Sequence, residues 1–106
     1  MENPRLNRLK EFLLQSPEDS FLRYGIALEY LGMGNESEAI RHLEDLKNHD
    51  SVYLPTYYQL GKLYEKKGQN EWAILNYRQG IEIAKRQKDN HTLSELNAAL
   101  DDLLDL

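Results

Sequence analysis

The sequence predicts an all-α fold: about six antiparallel helices, built as helix-turn-helix repeats stacked into a short α-solenoid. Three observations predict it. First, the chain repeats itself with a 34-residue step. Tyr30, Gly34 and Ala39 return as Tyr64, Gly68 and Ala73, and Tyr24, Ile26, Ala27 and Leu43 return as Tyr58, Leu60, Gly61 and Tyr77. A fixed period of roughly 20–50 residues marks stacked supersecondary units. Second, apolar residues recur at spacings of three and four in six stretches, and no alternating strand pattern of useful length occurs. Third, the connections are a few residues each, which forces antiparallel neighbours.

The first helix starts near Pro4, a residue suited to a first helical turn, and carries Leu6, Leu9, Phe12 and Leu13. Ser16-Pro17-Glu18-Asp19 ends it and can cap the next helix. The second runs from about Ser20 to Met33. Phe21, Tyr24, Ala27, Leu28 and Leu31 form one stripe, and Ile26 and Tyr30 widen it to a second side, so this helix needs neighbours on two sides. Gly32 and Gly34 bracket its end. The third begins near Asn35 to Ser37 and runs to about Asn48, with Ala39, Ile40, Leu43 and Leu46 buried; a turn follows to Ser51. The pattern then restarts. The fourth helix spans about Leu54 to Lys67, with Pro55 in its first turn, Tyr57, Leu60, Gly61 and Tyr64 inward, and Gly68 as its stop. The fifth runs from about Asn70 to Arg86 with Ala73, Ile74, Tyr77, Ile81 and Ala84 on one face. After a polar turn at Lys88-Asp89-Asn90, the last helix, about His91 to Leu104, carries Leu93, Leu96, Leu100 and Leu103. That stripe either seals the fifth helix or meets another chain.

Residues 20–87 resemble two tetratricopeptide repeats. The second copy carries the motif in order as Tyr57, Leu60, Gly61, Tyr64, Gly68, Ala73 and Tyr77, with Gly80 where a further small residue belongs. The first copy carries Ile26, Ala27, Tyr30, Gly34, Ala39 and Leu43, but has Arg23 for the leading aromatic and Leu46 for the second small residue. The closing proline is replaced by Ser51 and Lys85, while Pro17 lies one period before Ser51. The resemblance implies a short right-handed solenoid divided into a degenerate half repeat (1–19), a first repeat (20–53), a second repeat (54–87) and a C-terminal capping helix (88–106). It assigns Ala27, Gly61, Ala39 and Ala73 to close helix contacts, where a larger side chain overpacks.

The resemblance also implies where a partner binds, because the first helix of each repeat lines the concave face. The positions carried over are Phe21, Tyr24, Leu28 and Leu31 from the first repeat, and Tyr58, Gln59, Lys62, Glu65 and Lys66 from the second. Tyrosine offers a rigid apolar body with a polar tip, which suits recognition. Phe21, Leu28 and Leu31 can equally pack against the first helix, and Lys62 and Lys66 can be ordinary surface lysines. Some family members clamp a C-terminal carboxylate with Lys, Asn and Arg. Here the matching places hold Tyr24, Leu28 and Gln59, so that ligand is not expected. The expected partner is another protein, as an extended peptide or a helix, or a second copy joined through the end helices.

Composition narrows the rest. The 106 residues carry a formal net charge of −5, which disfavours nucleic acid and anionic membranes as partners. The cations at Lys62, Lys66, Lys67, Lys85, Arg86 and Lys88 read as solvated faces and helix ends. With no cysteine, disulfides, thiolate zinc sites and thiol catalysis are excluded. The first residues lack a secretion-signal layout, no apolar run approaches a membrane span, and a cytoplasmic location is expected. Asn35-Glu36-Ser37 and Asn90-His91-Thr92 are read as chance glycosylation triplets. His42, His49 and His91 are expected on the surface, with His42 and His49 too far apart along one helix for a metal pair. No nucleophile elbow, phosphate loop or zinc motif appears, so neither catalysis nor a cofactor is expected.

Overall fold

A computed structural model describes residues 3–105. Its backbone forms six helices: α1 (Pro4–Gln15), α2 (Ser20–Gly32), α3 (Glu36–His49), α4 (Pro55–Lys66), α5 (Asn70–Gln87) and α6 (Asn90–Leu104). No strand occurs among the described residues. The fold is all-α and built of helical repeats, and each helix boundary falls within a residue or two of its expected place. The chain divides into two compact units that meet between Tyr53 and Leu54.

In the first unit, α2 packs against both α1 and α3. Each helix has a side-chain cap: Asn3, Asp19 and Asn35 accept hydrogen bonds from the N–H groups of Leu6, Leu22 and Glu38 at 3.0, 3.0 and 3.2 Å. Such caps contribute about 1 kcal/mol each. Past the end of α2 the chain turns at Gly34, whose φ of 80° lies in the left-handed region that favours glycine. The core is Ile26, Ala27, Ala39, Leu43 and Leu46, with Leu6 from α1. Of the expected α1 stripe, only Leu6 is buried; Leu9 and Leu13 are half-buried and Phe12 is exposed.

His42 corrects the expectation of three surface histidines. It is half-buried and stacks on Tyr30, with ring centroids 4.9 Å apart and planes 19° from parallel. Burial, and then the neighbouring Arg41 guanidinium, hold its imidazole below the usual pKa. The Arg41 Nη2 lies 3.2 Å from Nε2, a contact in which the guanidinium donates to a neutral ring. Lys10 of α1 places Nζ 5.5 Å from the centroid of the same Tyr30 ring.

In the second unit, α5 lies between α4 and α6. Two glycines set these spacings. A Cβ on Gly61 would sit 2.2 Å from Tyr77 Cε1, and one on Gly80 would sit 2.9 Å from Tyr57 Cβ and 3.0 Å from Leu96 Cδ1. The α4–α5 turn uses Gly68 at φ 76°, with Gln69 N–H donating to the Tyr64 carbonyl at 2.9 Å. The α5–α6 turn does the same with Lys88 at φ 59°, a conformation strained for a residue with a Cβ. Asp89 then caps α6, accepting from Thr92 N at 3.1 Å and Thr92 Oγ1 at 2.8 Å. The α6 stripe of Leu96, Leu100 and Leu103 is buried in the core cluster with Tyr77 and Ala84, so its apolar face is spent on α5.

Two buried polar side chains were not expected from periodicity. Asn76 Nδ2 donates to the Trp72 carbonyl at 2.9 Å. Thr56 is fully buried, and its Oγ1 has no hydrogen-bond partner among the described residues.

Candidate partner-binding surface

The faces assigned to recognition lie on α2 and α4, and each is described in its own unit. On α2, Phe21, Gly25, Leu28 and Gly32 follow one another at spacings of four, three and four, which places them on one side of the helix. This side and α1 form an open groove of about 720 Å3. Phe21 and Leu28 line it with Leu9 and Arg5 of α1, Glu29 of α2, and Met33. Phe21 is 71% exposed and Met33 46%, so the groove carries apolar surface that the unit does not cover. Leu28 and Leu31 are half-buried, which fits partial packing against neighbouring helices. Arg5 reaches Glu29 at 3.7 Å, and Glu29 Oε1 accepts from Asn3 Nδ2 at 3.0 Å.

Tyr24 turns to a different neighbour. Its ring meets Tyr53 with centroids 5.7 Å apart and planes tilted by 57°. Burial, and then Tyr24, raise the pKa of the Tyr53 phenol. The two rings thus form an aromatic pair rather than an extension of the groove.

On α4 the chemistry is polar. Lys62 places Nζ 5.7 Å from the Tyr58 ring centroid, and the Tyr58 and Tyr77 centroids are 6.4 Å apart. Tyr77, fully buried, donates its hydroxyl hydrogen to Glu65 Oε1 at 2.9 Å. Burial first, and then this carboxylate, push the Tyr77 phenol far above its usual pKa. Glu65 is therefore tied to the core by one oxygen and serves the fold as well as the surface. Lys62 and Lys66 are exposed, and Gln59 is half-buried. The structure brings Tyr58 and Glu65 to Tyr77, and Lys62 to Tyr58.

Arg5 and Leu9 were missed by motif reasoning because the repeat pattern says nothing about a helix that lacks a full repeat of its own, and Gly25 and Met33 because they are not motif positions. A signal was present: one period on, Gly25, Leu28 and Gly32 become Gln59, Lys62 and Lys66. Among the described residues no group of three or more His, Asp or Glu side chains could hold a metal ion.

Three comparisons bear on what this architecture is. A tetratricopeptide repeat model matches residues 54–87. A TPR repeat-containing protein of Pseudomonas aeruginosa is 26% identical over 92 residues, 87% of this chain and 88% of the relative. The solution structure of a tetratricopeptide repeat domain protein from Salinibacter ruber superimposes with a TM-score of 0.80 at 43% identity, covering 85% of this chain and 91% of that one. A protein from Bordetella parapertussis shares the fold, with a TM-score of 0.79 at 24% identity over 97% of this chain and 89% of its own. Period, helix pairs, tight glycine contacts and a relative matched over most of its length agree: the chain belongs to the tetratricopeptide repeat family.

Proposed function

We propose that this protein is a non-catalytic interaction module that holds a peptide or helix of another protein on its concave face. The family to which it belongs generally supplies protein–protein interaction modules. The observation that carries the reading is the apolar groove beside α2, where Phe21 stands 71% exposed next to Leu28 and Met33. Exposed large apolar side chains gathered in one concavity mark recognition surfaces. The organisation proposed with it is a half repeat over 1–19, full repeats over 20–53 and 54–87, and a capping helix over 88–106. An acidic chain, at −5, fits neither nucleic acid nor an anionic membrane as the partner, and no helix of the described residues is long and apolar enough to cross a membrane. A cytoplasmic setting suits a chain without cysteine.

The test is affinity capture from the native extract, followed by titration of the captured protein against Leu28→Lys and against Tyr58→Ala with Lys62→Ala. Loss of affinity in either set supports the module. Unchanged affinity in both removes the proposed face. Self-association is the second reading. It rests on α1, where Phe12 and Leu14 are 49% and 84% exposed, because the α6 stripe of Leu96, Leu100 and Leu103 is already covered. Light scattering across a concentration series separates the two: a monomer at every concentration leaves the adaptor reading alone.

A further inference from the structure

Two surfaces of this chain each carry what the other lacks. The first is an open pocket of about 540 Å3 at the end of α1, lined by Lys10, Leu13, Leu14 and Pro17 with Arg23 of α2. Its apolar wall is uncovered, since Leu14 is 84% exposed. Leu13 and Leu14 stand one period before Lys47 and Asn48 of α3, so the repeat accepts polar residues at these places. Arg23 stands one period before Tyr57, and Leu46 one period before Gly80, the residue that Tyr57 packs on. Leu46 is fully buried, and Arg23 turns instead to the α1–α2 turn, where its Nε and Nη2 donate to the Pro17 carbonyl at 3.2 and 2.8 Å. Lys10 holds its Nζ over the Tyr30 ring. Neither cation has a carboxylate partner among the described residues, and no acid among them lines the pocket.

The second surface is the last turn of α6. Asp101, Leu104 and Asp105 follow at spacings of three and four, which places them on one side of the helix. Leu96, Leu100 and Leu103 are spent on α5, but Leu104 is 49% exposed. The carbonyl end of a helix carries a partial negative charge and favours cations. The end of α4 obeys this, with Lys67 one period before Asp101. The last turn of α6 holds no basic residue. Asp101, Asp102 and Asp105 are exposed, and none has a side-chain ion pair or hydrogen bond among the described residues. Three carboxylates thus sit at the unfavourable end of a helix dipole with no cation beside them.

We infer that the last turn of α6 of one copy docks in the α1–α2 pocket of another. Leu104 lies on Leu13, Leu14 and Pro17, and the carboxylates of Asp101 and Asp105 lie beside Lys10 and Arg23. Each surface is an apolar centre flanked by charge, and the charges are opposite in sign. The two surfaces are different patches, so the contact is heterologous. Association then continues head to tail, as a ring or an open row, rather than stopping at a twofold dimer. Copies carrying −5 repel one another overall, and so small a contact falls in the weak class of interfaces, below about 1,200 Å2. The association is therefore weak and concentration-dependent. This inference rests on the self-association reading and gives it two surfaces, none of whose residues belongs to the face assigned to other partners.

The test uses the full chain in sedimentation equilibrium, over a series reaching millimolar concentration. The mass should rise with concentration and pass that of a dimer. Leu14→Glu blocks the pocket and Leu104→Lys blocks the turn. Each should weaken association by about tenfold or more, and both side chains are exposed, so the circular dichroism spectrum and melting curve should stay in place. Mixed together, these two variants retain one intact turn and one intact pocket between them. They should form a one-to-one complex as tight as the contact in the unsubstituted chain, and nothing larger. Asp101→Asn with Asp105→Asn should weaken association yet raise the melting temperature slightly, because the monomer loses an unfavourable dipole contact. A rise in mass that ignores Leu104→Lys, or a mixture that stays monomeric, overturns the inference and leaves self-association to another surface. Indifference of the association to the two asparagines overturns it as well. An unsubstituted chain that stays monomeric throughout overturns both this inference and the self-association reading.

Discussion

Replacing Gly61 by alanine adds one methyl group at the tightest helix contact in the second unit. Its carbon would lie 2.2 Å from Tyr77 Cε1 and 2.6 Å from Cδ1 and Cζ. Carbon atoms rest at about 3.5–4.0 Å, so α4 and the ring must part by more than about 1 Å. Tyr77 has no free direction, being fully buried and hydrogen-bonded to Glu65. Overpacking costs roughly 1–3 kcal/mol, and weakening a hydrogen bond to a carboxylate adds about 1.5 kcal/mol or more. Opposing this, alanine in a helix is favoured over glycine by about 1 kcal/mol. The steric term wins, leaving a net loss of about 2 kcal/mol, or a melting temperature about 10 °C lower in a chain of this size. The first repeat suggests the remedy. One period earlier the same pair is Ala27 and Leu43, a larger residue matched with a smaller one, both fully buried. Urea unfolding followed by circular dichroism should show Gly61→Ala and Tyr77→Leu each destabilising, with the double variant costing at least about 1 kcal/mol less than their sum. A neutral or stabilising Gly61→Ala, or a double variant that is merely additive, would refute the proposed contact.

Four further outcomes follow from single positions. Lys88→Gly should stabilise the chain by about 0.5–1 kcal/mol, because a left-handed residue with a Cβ closes α5 where Gly34 and Gly68 close α2 and α4; a lower melting temperature would contradict this. Thr56→Val should raise stability by about 1 kcal/mol, since the isosteric swap removes a buried hydroxyl without a partner, and a loss measured by urea unfolding would mean that the hydroxyl is satisfied. Above pH 10 the chain should weaken with rising pH, because the unfolded state releases the Tyr77 proton while the folded state, with its raised pKa, keeps it. The slope approaches 1.4 kcal/mol per pH unit, and Tyr77→Phe should flatten it. His42 works in the opposite direction: its lowered pKa means that stability present above pH 6.5 is lost as pH falls through the folded value, a slope that His42→Phe should remove.

The positions read correctly from sequence were those under one dominant constraint. Helix ends were legible because Pro4 and Pro55 fix the backbone for a first turn, and Gly34 and Gly68 permit the left-handed turn that ends a helix. The deepest core was legible because Ala27, Leu60, Ala73 and Tyr77 repeat at fixed places. Lys88 escaped because lysine carries no turn signal: its left-handed backbone is imposed by the turn that Asp89 closes with an N–H bond to the Ala84 carbonyl. Thr56 and Asn76 escaped because periodicity places side chains without knowing whether their polar atoms find partners. His42 escaped because its burial depends on stacking with Tyr30 from another helix.

The candidate surface was legible by halves for a related reason. Tyr58 and Lys62 stood out as exposed first-helix positions, and the structure joins them as a ring and the cation beside it. Glu65 looked like their neighbour on the same face, yet its hydrogen bond to Tyr77 belongs to the interior. A helix surface of 3.6 residues per turn has no sharp border between facing inward and facing out, and a long carboxylate can serve both sides. The α2 stripe shows the complementary failure. Phe21 and Leu28 were assigned to a face by repeat position, but the groove they line is also made by Arg5 and Leu9 of α1, which precedes the residues that resemble the motif. What distinguishes that groove is a departure from the repeat, Gly25 and Leu28 where the second copy has Gln59 and Lys62. In a repeat protein the shared residues specify the stack. Recognition is therefore best sought where two copies differ at positions the fold leaves free, and here that criterion selects α2.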